Sequence, residues 1–473
     1  MKKTKLLLIA LTIVYSLCSA SGIARDKPNI VFIFIDDLGW TDPGYMGSTY
    51  YETPNIDLLA GHGMIFTNAY ANAANCAPSR ASFLTGQYTP RHGVFTVARP
   101  DRGESEDRRL IPIENSRQFS PDKITIAEAL RPAGYVSAAI GKWHVADSPQ
   151  QQGFDVGLNK FQIANGYEAG HFNIEKEYLT DRLTNEAVEF ITQNKDNPFF
   201  LYLAHYAVHT PIEAKENLIS KYNAKDAAGC HGNATYAAMI ESIDESVRKI
   251  NATIKDLGLS ENTLLIFFSD NGGHGTYTCQ KPLRGGKGMF YEGGIRVPMF
   301  VYWPGEVRGG TICDFPVIGT DFYPTFIELA GAQQPVDYIL DGKSIVRLFK
   351  GKKSIKRDAV FWHFPAYLNS YEGLKDESRD TVFRTRPVSV IRKGDWKLLM
   401  FHEEWVLDGG KEKINSNNSV ELYNLKKDPG ESDNLSNANN KRRNKLLEDL
   451  LEWQNEINAP IPTQANSAYI EKL

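Results

Sequence analysis

The sequence predicts an α/β fold: a large, mostly parallel mixed sheet sandwiched by helices, then a smaller C-terminal antiparallel sheet plus helix. Three observations carry this expectation. Continuous apolar runs of strand length recur between Ile30 and Trp303. Amphipathic helical patterns fall between those runs. After Gly351 the pattern changes to short strand-like pieces joined by tight turns.

The first run, residues 30–35, is made only of β-branched and aromatic residues and closes at Asp36-Asp37. Similar runs occupy residues 135–140, 199–204, 264–268 and 299–303. A strand with no polar face must be covered on both sides, as in a sheet between helical layers. The clearest helix spans residues 236–257, where Ile240, Ile243, Val247, Ile250, Ile254 and Leu257 recur at spacings of three and four, and Gly258 stops it. Alternating strands and helices define an α/β domain, whose ligands sit beyond the carboxyl ends of the strands. Asp36-Asp37 and Asp270-Asn271 both fall at such ends. Short strands are expected at 359–363, 388–392, 396–400 and 421–425, with Lys393-Gly394-Asp395 as a turn. A terminal helix over 441–456 would bury Leu446, Leu447, Leu450, Leu451 and Trp453. The expected boundaries are 27–350 for the large α/β part, 351–458 for the C-terminal α+β part and 459–473 for a loose tail.

The 473 residues carry 53 Lys+Arg and 57 Asp+Glu, a net charge of −4, with 42% hydrophobic and 23% charged residues. These values exclude a disordered, collagen-like or polytopic membrane chain. Mild acidity argues against a nucleic-acid partner, and anion binding would need a local cluster of cations. The five cysteines, Cys18, Cys76, Cys230, Cys279 and Cys313, are too few for a disulfide scaffold and contain no CxxC pair. Residues 1–22 read as a signal peptide: Lys2, Lys3 and Lys5 precede an apolar stretch too short for a stable membrane span, then small residues. The protein is therefore expected to be periplasmic or secreted, a retained anchor being the alternative.

Cys76-Ala77-Pro78-Ser79-Arg80 followed by Leu84-Thr85-Gly86 is the most informative segment. Pro78 suits a first helical turn, which places Cys76 near free N–H groups and partial positive charge. The residues alone suggest an activated thiol or anion site, against a buried structural cysteine. This motif resembles the maturation motif of the type I sulfatases, in the alkaline-phosphatase-like superfamily. In that family the cysteine is oxidised to formylglycine, whose hydrated aldehyde is the nucleophile. The other family motifs accompany it in order, and the likeness runs from Lys27 to about Leu451.

The resemblance implies roles position by position. Asp36, Asp37, Asp270 and Asn271, with the formylglycine made from Cys76, would hold a divalent metal. Hard oxygen ligands suit Ca2+, with Mg2+ as the alternative. Arg80 would act in catalysis, and Lys142 and His144 of Gly-Lys-Trp-His would contact the sulfate and the hydrate. His209 of His-x-Pro would protonate the leaving oxygen with help from Lys287, while His205 is assigned a structural role. The glycine-rich segment around Lys287 lacks Walker spacing, and Arg296 within it is expected to support the fold. With Cys76 converted, at most one disulfide can join Cys230, Cys279 and Cys313.

The expected activity is hydrolysis of a sulfate monoester on a sulfated glycan, with 4-sulfated galactose or N-acetylgalactosamine as candidates. The implied partners are that carbohydrate and a formylglycine-generating or anaerobic sulfatase-maturing enzyme. Substrate contacts are sought outside the motifs, at Arg99, Asp101, Arg102, His171 and His363, with solvated loop or fold-supporting roles as the alternative. The rival functions are a phosphonate or phosphodiester hydrolase of the same superfamily and a non-catalytic sulfoglycan-binding protein.

Overall fold

A computed structural model describes residues 27–163, 167, 170–371, 373 and 377–471. The expected signal peptide lies outside the described residues. Among the described residues no helix is long and apolar enough to cross a membrane.

The main sheet contains β1 (Asn29–Ile35), β2 (Met64–Phe66), β3 (Val136–Gly141), β4 (Val156–Leu158), β5 (Phe199–Ala204), β6 (Thr263–Ser269), β7 (Met299–Tyr302) and β8 (Thr311–Cys313). Its order is β8-β2-β7-β6-β1-β5-β3-β4. The central pairs β6/β1, β1/β5 and β5/β3 are parallel. The run at 299–303, which reads like the others in sequence, pairs antiparallel with β6 and β2. β1 explains the continuous apolar pattern. Ile30, Phe32 and Phe34 enter the core on one face, and Val31, Ile33 and Ile35 enter the core on the other. On the first face Phe32 packs on Phe83 and Phe322, with ring centroids 4.4 and 4.9 Å apart. The first of these rings lies on α1 (Cys76–Thr85). On the second face lie α2 (Leu179–Gln193) and α3 (Ala234–Asp256), the latter presenting the expected Ile240, Ile243, Val247, Ile250 and Ile254 stripe. Asn233 caps α3 by accepting the Tyr236 N–H at 3.0 Å.

The C-terminal sheet is antiparallel and ordered β9 (Val360–Phe364), β10 (Val388–Lys393), β11 (Trp396–Phe401), β12 (Val420–Asn424). Gly394, at φ 60°, makes the turn between β10 and β11. α4 (Asn440–Glu456) buries Leu446, Leu447, Leu450 and Trp453 against this sheet. A buried ionic cluster pins this part to the segment after Lys287. The Lys397 ammonium lies 3.0 Å from Glu292 and 2.9 Å from Glu431, and the Tyr70 hydroxyl donates to Glu292 at 2.6 Å.

The tail expected to be loose is tied down as far as it is described. Ile111 N–H donates to the Gln464 carbonyl at 2.9 Å and Asn466 N–H donates to Arg109 at 2.9 Å. The Asn466 side chain also donates to the Arg108 carbonyl at 2.8 Å. These bonds give the tail backbone partners that its polar composition does not reveal. Cys230 pairs with Cys279, and Cys313 and Cys76 are free and buried.

Candidate active site

The register of the sheet builds the site. Ile35 lies opposite Ser269, Phe34 opposite Ala204, and Gly141 opposite Ala204. The residues that follow these strand ends therefore converge on one edge. They include Asp36-Asp37, Lys142 to His144, His209 and Asp270-Asn271. Asp37 and His144 adopt left-handed backbone angles, φ 63° and 67°. Such conformations cost of order 1 kcal/mol or more in a non-glycine residue and persist where surrounding structure demands them.

Cys76 is the first residue of α1, preceded by Asn75 as N-cap. Burial would raise its thiol, yet Lys142 and Lys287 hold it well below its ordinary value, helped by a hydrogen bond with His144. Its sulfur lies within 4.8 Å of ligand atoms of Asp36, Asp37 and His209. The Lys142 ammonium bonds Asp36, and the Lys287 ammonium donates to Asp37 Oδ2 at 2.6 Å. Burial opposes the charge on Asp36, but Lys142, His209 and Arg80 hold its carboxyl well below the usual range. Burial likewise opposes charge on His209, but Asp36 and Asp37 outweigh it and raise the imidazole to about 9.

The carboxylates fit a divalent cation. Asp36 Oδ1 and Asn271 Oδ1 are buried with no hydrogen-bond donor among the described residues. Asn271 spends its amide N–H on Asp37 Oδ1, at 2.8 Å, which leaves its own oxygen free. Orphaned buried oxygens are costly unless something satisfies them, and a hard cation does so for this donor set.

Arg80 sits one turn after Cys76 and is wholly buried. It donates to Asp270 Oδ2 at 2.8 Å, to the Lys142 carbonyl at 3.1 Å and to the Tyr202 hydroxyl at 3.2 Å. It does not line the pocket, and its bonds tie Asp270 to the backbone of Lys142. Arg296 supports the fold as expected: it donates to the Thr67 carbonyl at 2.7 Å and covers Trp40. His205 is also structural, buried against Ser246 at 3.0 Å.

A pocket of about 600 Å³ opens over Cys76, Lys142, His144, His209 and Lys287. Of the five substrate candidates, Arg102 and His171 line it. His171 bonds the His209 carbonyl through Nε2 at 3.1 Å, so this imidazole braces a site residue. The other three lie elsewhere. Arg99 and Asp101 pair with each other at 2.9 Å in an exposed loop, outside the pocket wall. His363 is 2% exposed between sheet and core, bonded to Ser389 at 2.7 Å and to the Pro460 carbonyl at 3.0 Å. Its place in β9, covered on both faces, withdraws it from any substrate.

Sequence reasoning missed Lys160, Phe161, Tyr206, His274 and Arg384, all of which line the pocket. Lys160-Phe161 lies just beyond β4, but three residues of Val-Gly-Leu are too short a strand to read. Arg384 comes from the C-terminal part, far from every motif.

A parallel-centred sheet with a cationic pocket and a carboxylate cluster at its carboxyl edge defines an alkaline-phosphatase-like α/β hydrolase. Comparison with known proteins assigns the family: the Sulfatase model matches residues 28–332, and the chain belongs to the sulfatases. The model of the C-terminal part of N-sulphoglucosamine sulphohydrolase matches residues 285–457. A sulfatase of Formosa agariphila is 32% identical, over 92% of this chain and 90% of its own. Human N-acetylgalactosamine-6-sulfatase is 30% identical, over 75% of each chain. The crystal structure of Ps i-CgsB in complex with k-i-k-neocarrahexaose superposes with a TM-score of 0.72 at 30% identity, covering 94% of this chain and 96% of that one. The protein is a sulfuric ester hydrolase.

Proposed function

We propose that this enzyme is exported through its 1–22 signal peptide and removes O-sulfate from a sulfated glycan or its oligosaccharides. The observation that carries the reading is Cys76 at the floor of the pocket, ringed by Lys142, Lys287, His144 and His209 above the carboxylate cluster. A maturing enzyme converts Cys76 to formylglycine, whose hydrate supplies the nucleophilic hydroxyl. Asp36, Asp37, Asp270, Asn271 and the converted residue 76 would hold Ca2+ or Mg2+, which would supply Lewis-acid stabilisation of the sulfate.

The chain's own residues do the rest. Lys142 and Lys287 bring two positive charges to the anion, where a low-dielectric wall strengthens them. His209 presents its protonated imidazole to the leaving oxygen. His144 is placed to accept a proton from residue 76, which its hydrogen bond to Cys76 supports. Arg80 fixes Asp270 and the Lys142 backbone. Exposed Phe161 and half-buried Tyr206 offer faces on which a sugar ring can stack. Support for the substrate class comes from the relative acting on N-acetylgalactosamine 6-sulfate and the neighbour holding an oligosaccharide. The 4-sulfates of galactose and N-acetylgalactosamine are the first candidates to screen.

Mass spectrometry of the Cys76 peptide tests conversion to the aldehyde. Released sulfate from defined oligosaccharides tests the activity. Cys76→Ala is expected to abolish release by at least about a thousandfold while leaving the fold intact. Full release by that variant would sink the mechanism.

A further inference from the structure

The sulfate site described above uses Lys142, Lys287, His144 and His209, yet two more guanidiniums enter the same pocket. Arg102 comes from the loop after α1 and Arg384 from the C-terminal segment Phe383–Thr385. Neither forms an ion pair among the described residues. Arg102 donates to the Val97 carbonyl at 2.7 Å. Arg384 donates to the Lys287 carbonyl at 3.3 Å and lies over the Tyr371 ring at 4.5 Å. Its Nε is buried with no hydrogen-bond acceptor among the described residues. Burial disfavours the charge on Arg384, Tyr371 and Asp37 favour it, and Arg102, which lines the same pocket, opposes it. Two half-buried guanidiniums that line one pocket without a carboxylate partner, one of them with an orphaned Nε–H, are costly unless an anion meets them.

The backbone is shaped to admit Arg384. At Gly288, φ 88°, a Cβ would approach Arg384 Cδ to 2.7 Å, so the bare glycine leaves room for the guanidinium stem against the loop of Lys287. Of the residues lining the pocket, Asp147 is the one carboxylate, and it is exposed.

We infer that Arg102 and Arg384 form a second anion subsite, which takes a further anionic group carried by the same glycan beside the sulfate that is cleaved. This rests on the sulfated-glycan reading and narrows it: the preferred substrate bears two or more negative groups. A second sulfate and a uronate carboxylate share the required chemistry, because a guanidinium fork matches either.

The test uses matured enzyme and pairs of oligosaccharides that share the cleaved sulfate. In one series the partners differ by a second sulfate, in the other by a uronate in place of a neutral sugar. The expected result is a preference in kcat/KM of at least about tenfold for the more anionic member of one series, which identifies the anion. Arg102→Gln and Arg384→Gln should each shrink that ratio, chiefly through KM, and Arg384→Lys should restore part of it. Equal kcat/KM within both series, or a ratio that survives in the double Gln variant, would overturn the subsite while leaving the glycan reading standing. Release of sulfate from no member would overturn the glycan reading, and the inference with it.

Discussion

Replacing Arg80 by Met gives the most quantitative probe of the site. The substitution keeps much of the side-chain volume and removes the charge. Arg80 and its partners Asp270 and Asp36 have no solvent exposure. The guanidinium lies 2.7 Å from Asp270 Oδ2 through Nη2 and donates to it through Nε at 2.8 Å. Two neutral bonds, to the Lys142 carbonyl and the Tyr202 hydroxyl, are lost as well. Removing one partner of a buried pair strands the other, at a cost of about 3–5 kcal/mol. Arg99→Met, which breaks the exposed pair with Asp101, serves as the control, and exposed pairs are worth about 1 kcal/mol or less. Arg80→Lys should fall between, because an ammonium keeps the charge and loses the planar fork. Urea unfolding followed by tryptophan fluorescence, at fixed Ca2+, measures the three differences, with sulfate release assayed in parallel. A loss under about 1 kcal/mol for Arg80→Met, with activity retained, would refute the idea that Arg80 holds the carboxylate cluster together.

Three further outcomes are expected. Ca2+ at a hundredfold its Kd should add about 2.7 kcal/mol to unfolding, and chelation should remove both that increment and sulfate release; an unfolding temperature and activity indifferent to chelator would exclude the carboxylate cluster as a cation site. Reducing the Cys230–Cys279 bridge, or replacing both residues by Ser, should cost up to about 4 kcal/mol for a loop of 49 residues, read from denaturant midpoints with and without reductant. Burial and Glu292 raise Glu431 to about 7 in the folded state despite Lys397, from an ordinary 4.5. Its contribution to stability is therefore whole below pH 4.5 and is lost as pH rises through 7, by about 3 kcal/mol. Unfolding of Glu431→Gln across that window should lack this slope; a pH dependence identical to the parent's would count against a raised Glu431.

Much of this molecule is determined by local sequence. Apolar runs at 30–35, 199–204 and 264–268 fix strands buried on both faces, because no residue in them tolerates water. The helix of Ile240 to Ile254 and the leucine face of the last helix follow from a period of 3.6. Short motifs, each a few adjacent residues, marked Cys76, the lysines and histidines that line the pocket with it, and the carboxylates that converge beside α1. What the chain could not show from neighbours in sequence was anything made by distant pairing. The direction of β7 depends on its partners β6 and β2. His363 reads like a sugar contact and is buried by the sheet that forms around it. The partner of Cys230 is set by two loops that meet only in the fold. Arg384 carries no local signature, because its place in the pocket exists only after the C-terminal sheet docks on the loop of Lys287. The residues of the proposed sulfate subsite are thus written in short contiguous motifs, whereas the remaining pocket wall, Arg384 included, arises from long-range packing.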